Sequence, residues 1–187
     1  MLQLAGYRKH YLHVNLYQRM RRKKMDMREQ NLINALQSIP WYQELAPPHF
    51  EKLMKISELV EVDAKQELFR EGDLEDFLYV VIQGRIAIEM SVPSRGRMRI
   101  YTAEPMDVVG WSSVTPVVRR RTAGASAVLS SCLIRQDAIA LRKLCDDDHE
   151  LGYIVMRRLA NVVASRLLTT RLQLLDMFSH PEEKVNV

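Results

Sequence analysis

Asp107-Val108-Val109-Gly110-Trp111-Ser112-Ser113-Val114-Thr115-Pro116, followed by Val117 to Ala123 with Arg119, Arg120, Arg121 and Thr122, is the most informative stretch of this 187-residue chain. Glycine at 110 permits a tight turn from a strand into a short helical segment. The free backbone N–H groups at such a start form a natural anion site, and Ser112 and Ser113 add hydroxyl donors. An arginine returning from the far side of the loop completes the grip, because a guanidinium holds phosphate or carboxylate through two parallel hydrogen bonds. Serine-rich turns and surface arginines are common, so this stretch acquires meaning only from what surrounds it.

Upstream the hydrophobic period is two. Val60 and Val62 alternate with Glu61 and Asp63, and Leu68 and Phe69 end a strand at Glu71-Gly72-Asp73. Phe77 to Ile82 is an apolar run closed by Gln83-Gly84, and Ile86, Ala87 and Ile88 follow. Met98, Ile100 and Tyr101 come after the turn Pro93-Ser94-Arg95-Gly96, and a last strand pair is read at Ala123 to Leu129 and Cys132 to Arg135. Short strands at regular spacing, separated by glycine-bearing turns, predict a sandwich or barrel-like roll. Two packing helices precede it: Leu32, Ala35 and Leu36 form one stripe, broken at Ile39-Pro40-Trp41. Pro47-Pro48 opens a second through Phe50, Leu53, Met54 and Ile56, proline being tolerated in a first turn.

Downstream, Asp147 to about Phe178 is the strongest helix in the sequence. Asp146, Asp147 and Asp148 with Glu150 stand at its start, where carboxylates cap free N–H groups and favour the positive end of the helix dipole. Consecutive helical positions point in different directions, so this acidic run reads as capping rather than as a metal site. Ala160, Val163, Leu167, Thr170, Leu174 and Met177 follow alternating steps of three and four, the seam of a coiled coil. Leu151, Val155 and Leu159 are expected to face the core. The later heptads predict a parallel helix pair, hence a homodimer.

A Glu-Gly-Asp turn (71 to 73), Phe-Leu-Tyr-Val-Val-Ile-Gln-Gly (77 to 84), Asp-Val-Val-Gly (107 to 110), Arg-Thr-Ala (121 to 123) and a long helix, in that order, resemble the cyclic-nucleotide-binding domain of the catabolite-activator type. The resemblance covers about residues 30 to 178. It implies an α+β fold: N-terminal helices, a jelly-roll-like β-roll, and a C-terminal helix that dimerises and closes over a bound base. Carried onto this chain, Gly110 supplies backbone N–H contacts, Arg121 grips a phosphate and Thr122 supplies a hydroxyl. Thr170, with Thr169 or Arg171 beside it, falls where the family's base-contacting positions lie. The implied ligand is cAMP, cGMP or another phosphate-bearing small molecule; no metal or other cofactor is expected. One departure stands out. Members that bind cyclic nucleotides usually place glutamate directly after the glycine, to accept the ribose 2′-hydroxyl; here it is Trp111, whose indole has no such acceptor. Trp111 is left to stack on a base, enclose a different anion, or fill the pocket.

Composition bounds the rest. With 47% hydrophobic and 27% charged residues the chain is that of a folded protein with one core and appendages. These divide into a basic arm (1–27), the helical lead-in with the roll (28–146), the dimerisation helix (147–178) and a tail (179–187). No apolar run is long enough to span a bilayer, no secretory signal is visible, and Cys132 and Cys145 read as reduced thiols, so a cytoplasmic protein is expected. The formal charge is +4, yet residues 1 to 24 hold seven basic residues and no acid, which leaves residues 25 to 187 at −3. The arm, with Leu4, Tyr7, Tyr11 and Val14 at helical spacing and Arg21-Arg22-Lys23-Lys24 at its end, reads either as a loosely ordered extension or as a contact for an anionic partner. The five histidines are scattered and no nucleophile elbow, P-loop or metalloprotease pair is present, so no enzymatic activity is expected. Only nine residues follow Phe178, so sequence-specific DNA binding is not expected either. The expected function is a stand-alone sensor; its rival is a ligand-free scaffold for a protein partner.

Overall fold

The computed structural model describes residues 26–74, 77–115 and 120–179. The expected helix face and basic cluster of residues 1–24, Arg119, and the tail from His180 lie outside the described residues. The chain divides into two compact units, Met1–Ile139 and Ala140–Val187.

In the first unit, helix α1 (26–38) leads into the single turn α2 (Pro40–Gln43) and then α3 (Pro47–Lys55). Proline opens both α2 and α3, where a missing N–H leaves no helical bond unmade. Eight strands follow: β1 (Ser57–Val62), β2 (Glu67–Phe69), β3 (Phe77–Gln83), β4 (Ile86–Val92), β5 (Gly96–Ala103), β6 (Val108–Val109), β7 (Gly124–Ala127) and β8 (Ser131–Asp137). They form two antiparallel four-stranded sheets, in the orders β1-β8-β3-β6 and β2-β7-β4-β5. This is the expected β-roll. The two-residue β6 is the strand expected to lead into the turn at Gly110.

Alternation decides which side chains meet between the sheets. Tyr79, Val81, Ile86, Ala103, Val109, Ala125, Ala127 and Leu133 form the interior, with Val60, Val62, Phe69, Phe77, Ile88 and Tyr101 packed on it. β3 is buried on both faces from Leu78 to Val81. On the face away from that interior, Gln136 of β8 is 1% exposed and donates through Nε2 to the Tyr42 hydroxyl (2.8 Å) and to Ser57 Oγ (2.9 Å). Ser57 Oγ in turn donates to the Leu53 carbonyl (2.6 Å). Four groups that would be costly to bury alone are thus satisfied together, tying α2 and α3 to the sheet. Burial pushes the Tyr42 phenol far above its usual range, so it remains a neutral donor and acceptor.

The second unit carries most of α4 (Ala138–Asp147) and all of α5 (His149–Ser179). α4 is an element the sequence reading lacks: its ten residues were too short to stand out between a strand and the acidic run. Of that run, Asp148 is the cap, its Oδ1 accepting the Leu151 N–H (3.1 Å). α4 and α5 approach closely at Gly152, where a Cβ would stand 2.5 Å from the Cys145 carbonyl oxygen. Leu151, Val155 and Leu159 are buried, whereas Leu167, Leu168, Leu172, Leu174, Leu175 and Phe178 are each at least half exposed. Among the described residues no helix is long and apolar enough to cross a membrane.

Candidate functional site

The turn at 104–107 aims the chain into β6. Met106 takes φ 75°, Asp107 Oδ2 accepts the Glu104 N–H (3.0 Å) and the Tyr101 hydroxyl (2.8 Å), and partial burial pushes the Asp107 carboxyl up from its usual range. β6 then pairs with β3, Val109 opposite Tyr79. Gly110 ends this short strand at φ 75° and starts a 3₁₀ turn, Trp111–Val114. Two reasons require glycine there. An L side chain rarely adopts that φ, and a Cβ would stand 2.4 Å from Arg121 Nη1.

Arg121 is the centre of the arrangement and is only 4% exposed. Its Nη1 donates to the Gly110 carbonyl (3.1 Å), its Nη2 to the Phe77 carbonyl (2.6 Å), and its guanidinium carbon lies 4.1 Å from the centre of the Phe69 ring. Phe69 stacks in turn on Tyr79, with centroids 6.1 Å apart. A buried cation is costly unless its donors and its flat face are met; here two carbonyls meet the terminal nitrogens and an aromatic ring meets the face, while the buried Nε makes no hydrogen bond among the described residues. The backbone of Arg121 is clamped as well: its N–H donates to the Asp73 carbonyl (2.9 Å), and its own carbonyl accepts the Gly72 N–H (2.8 Å). Arg120 Nη1 reaches the Gly72 carbonyl (2.8 Å). The Glu-Gly-Asp turn, the start of β3 and the glycine after β6, scattered over roughly fifty residues of sequence, therefore meet at one residue of the Arg-Thr-Ala segment, the turn at its backbone and the other two at its side chain.

The other expected site residues are placed less uniformly. Ser113 is fully buried and its hydroxyl donates to the Gly110 carbonyl (2.7 Å), closing the 3₁₀ turn on itself. Ser112 is buried, Trp111 half-buried and Thr122 exposed. Thr169 and Thr170 lie on α5, and their hydroxyls turn back onto the carbonyls of Ser165 (3.1 Å) and Arg166 (2.9 Å) of the same helix. Arg166 was not singled out from the sequence. It is half-buried, and burial lowers its guanidinium to about 10. Its three- and four-residue spacing from Leu159, Val162 and Thr169 marks it as belonging to the covered face of α5 and could have signalled it. Among the described residues no group of His, Cys, Asp or Glu could hold a metal ion.

Residues 59–148 match the family described as the cyclic nucleotide-binding domain. Among solved structures, a cyclic nucleotide-binding domain from Methylobacillus flagellatus superposes with a TM-score of 0.68 at 19% identity, covering 86% of this chain and 88% of that one. The sensor domain of the transcriptional regulator DNR from Pseudomonas aeruginosa gives 0.60 at 22% identity over 74% and 93%. The c-di-GMP-responsive global regulator CLP from Xanthomonas campestris gives 0.60 at 18% identity over 73% and 66%. These likenesses show the fold. No curated protein matches the chain.

Proposed function

Because residues 59–148 belong to the cyclic nucleotide-binding domain family, we propose that this protein is a regulatory sensor whose β-roll takes a phosphate-bearing ligand at Gly110, Ser112 and Arg121. The observation that carries this is the convergence on Arg121. The fold invests four separated segments in burying one cation beside the glycine-led turn, and a guanidinium fork is the group that grips a phosphate bidentately. In the present state that fork holds the Gly110 and Phe77 carbonyls. A phosphate arriving at the turn exchanges those two bonds for stronger charge-assisted ones, so ligand occupancy and the Arg121 rotamer are one equilibrium. Thr122, exposed beside it, would add a hydroxyl, and Trp111, half-buried at the entry of the turn, would stack on the ligand in place of a ribose contact. The neighbours' ligands range up to a cyclic dinucleotide, which suits a chain that lacks the ribose-reading glutamate. In this reading the chain works as a homodimer through α5, Thr169 and Thr170 standing at the base-contacting positions, and the output is a shift in the position of α5 rather than catalysis.

Thermal unfolding with a panel of cyclic mono- and dinucleotides tests the reading. A true ligand at a hundred times its Kd adds about 2.7 kcal/mol, or roughly 5–10 °C for a domain of this size. The shift should vanish in Arg121→Ala, whatever that change does to the unliganded midpoint. The carbonyl bonds of Arg121 also favour a second reading, in which the arginine fills its own site and the domain is a ligand-free scaffold. No shift with any nucleotide at millimolar concentration would select it.

A further inference from the structure

α5 carries two apolar rows on its exposed side. One runs through Ala160, Leu167 and Leu174, Leu167 being 50% and Leu174 51% exposed; the other runs through Leu168, Leu172 and Leu175, which are 60%, 58% and 61% exposed. At 3.6 residues per turn the rows lie roughly 100° apart, with Arg171 between them. A two-stranded parallel coiled coil buries only one such row at a time.

The charges beside the rows differ in sign. In a parallel pair, the residue just before a seam position faces, on the other helix, the residue five further along. Around the seam of Leu167, Thr170 and Leu174 this sets Arg166 against Arg171 of the second copy, two like charges. Around Leu168, Leu172 and Leu175 it sets Arg171 against Asp176 of the second copy, an attraction. The first seam is the longer, extending back to Ala160 and Val163. The second has three leucines but meets Ser165, Asn161 and Arg158 at the three positions before them. Length favours one pairing and charge the other.

We propose that α5 pairs in parallel with α5 of a second copy through either of these two rows, and that a rotation of about 100° between them is the conformational step available to the dimer. This rests on the helix-pair reading above and is independent of which ligand binds. A two-state element whose seams are balanced in this way is easily biased by a modest difference in contacts elsewhere in the chain.

Single cysteines placed at 167, 168, 174 or 175 of the full chain, oxidised with copper phenanthroline and mapped by mass spectrometry, read both seams directly, since a disulfide forms only where Cα atoms come within about 7 Å. Homodisulfides are expected at Leu167→Cys and Leu174→Cys and also at Leu168→Cys and Leu175→Cys. Arg171→Glu turns the first seam's repulsion into attraction and the second's attraction into repulsion, so adding it should raise cross-linking at 167 and 174 several-fold and abolish it at 168 and 175. Cross-linking at one row only, unchanged by Arg171→Glu, would overturn the two-seam proposal and leave the dimer standing. A monomeric mass by light scattering with no cross-link at any position would overturn both.

Discussion

The β-roll and α5 handle burial in opposite ways. In the roll, apolar side chains face one another between two sheets, and a buried cation, Arg121, is met by two carbonyls and an aromatic face. On α5, by contrast, six large apolar side chains between Leu167 and Phe178 are at least half exposed. The roll is complete within one chain. The outer face of α5 carries apolar area that is costly to leave in water, and in the proposed pairing a second helix covers it. A region of the first kind suits a site that must be built accurately; one of the second suits an element whose partner or register changes.

Substitutions can break this contrast or sharpen it. The largest effect is expected from Gly110→Val, which combines a disallowed φ with a Cβ against Arg121 and should cost about 3 kcal/mol or more. Urea unfolding measures it, and a cost under about 1 kcal/mol would mean that Arg121 yields easily and is not locked in the roll. Arg121→Met should follow at about 2–3 kcal/mol, since it keeps the contact with Phe69 but leaves the Gly110 and Phe77 carbonyls without their donors. Gln136→Leu, which strips the Tyr42 and Ser57 partners of a buried amide, should cost about 2 kcal/mol and Tyr42→Phe about 1 kcal/mol. On α5 the expectation reverses. Leu168→Ser with Leu175→Ser should barely change the melting midpoint of dilute protein, yet reduce its rise with protein concentration.

The smallest effect concerns pH. Burial and the neighbouring Asp146 and Asp148 push the Cys145 thiol up to about 11, so the folded state holds that proton more tightly than the unfolded chain. Stability from this source is present below the ordinary thiol pKa and is lost as pH rises through about 11. The difference in midpoint between wild type and Cys145→Ala should therefore change in that window and stay constant below pH 8. A constant difference throughout would show that the thiol is better solvated than its place beside Gly152 implies.

Much of the roll was legible because a half-buried strand announces itself by alternation and its turns by glycine: Val60 and Val62, the Phe77 to Ile82 run and Gly84 all stand where the reading put them. α4 was not legible, since ten residues with one buried side have too few turns to separate from a strand's end. At the site, Gly110 was readable from the turn it permits, and Arg121 was named through the resemblance of Arg-Thr-Ala (121 to 123) to the cyclic-nucleotide-binding family. What could not be named was that Arg121 turns inward onto two carbonyls and that Ser113 closes its own turn, because both depend on where β3 and the Glu-Gly-Asp turn arrive in space.

The amino-acid order by itself determined the periods, the breaks and the sign of each charge, hence the roll, the long helix and the candidate site residues. Only the tertiary structure decided which of those residues is occupied and which face of α5 is left open. Hydrogen-bond partners and burial are set by segments distant in sequence, and periodicity carries no information about which distant carbonyl a given guanidinium will meet.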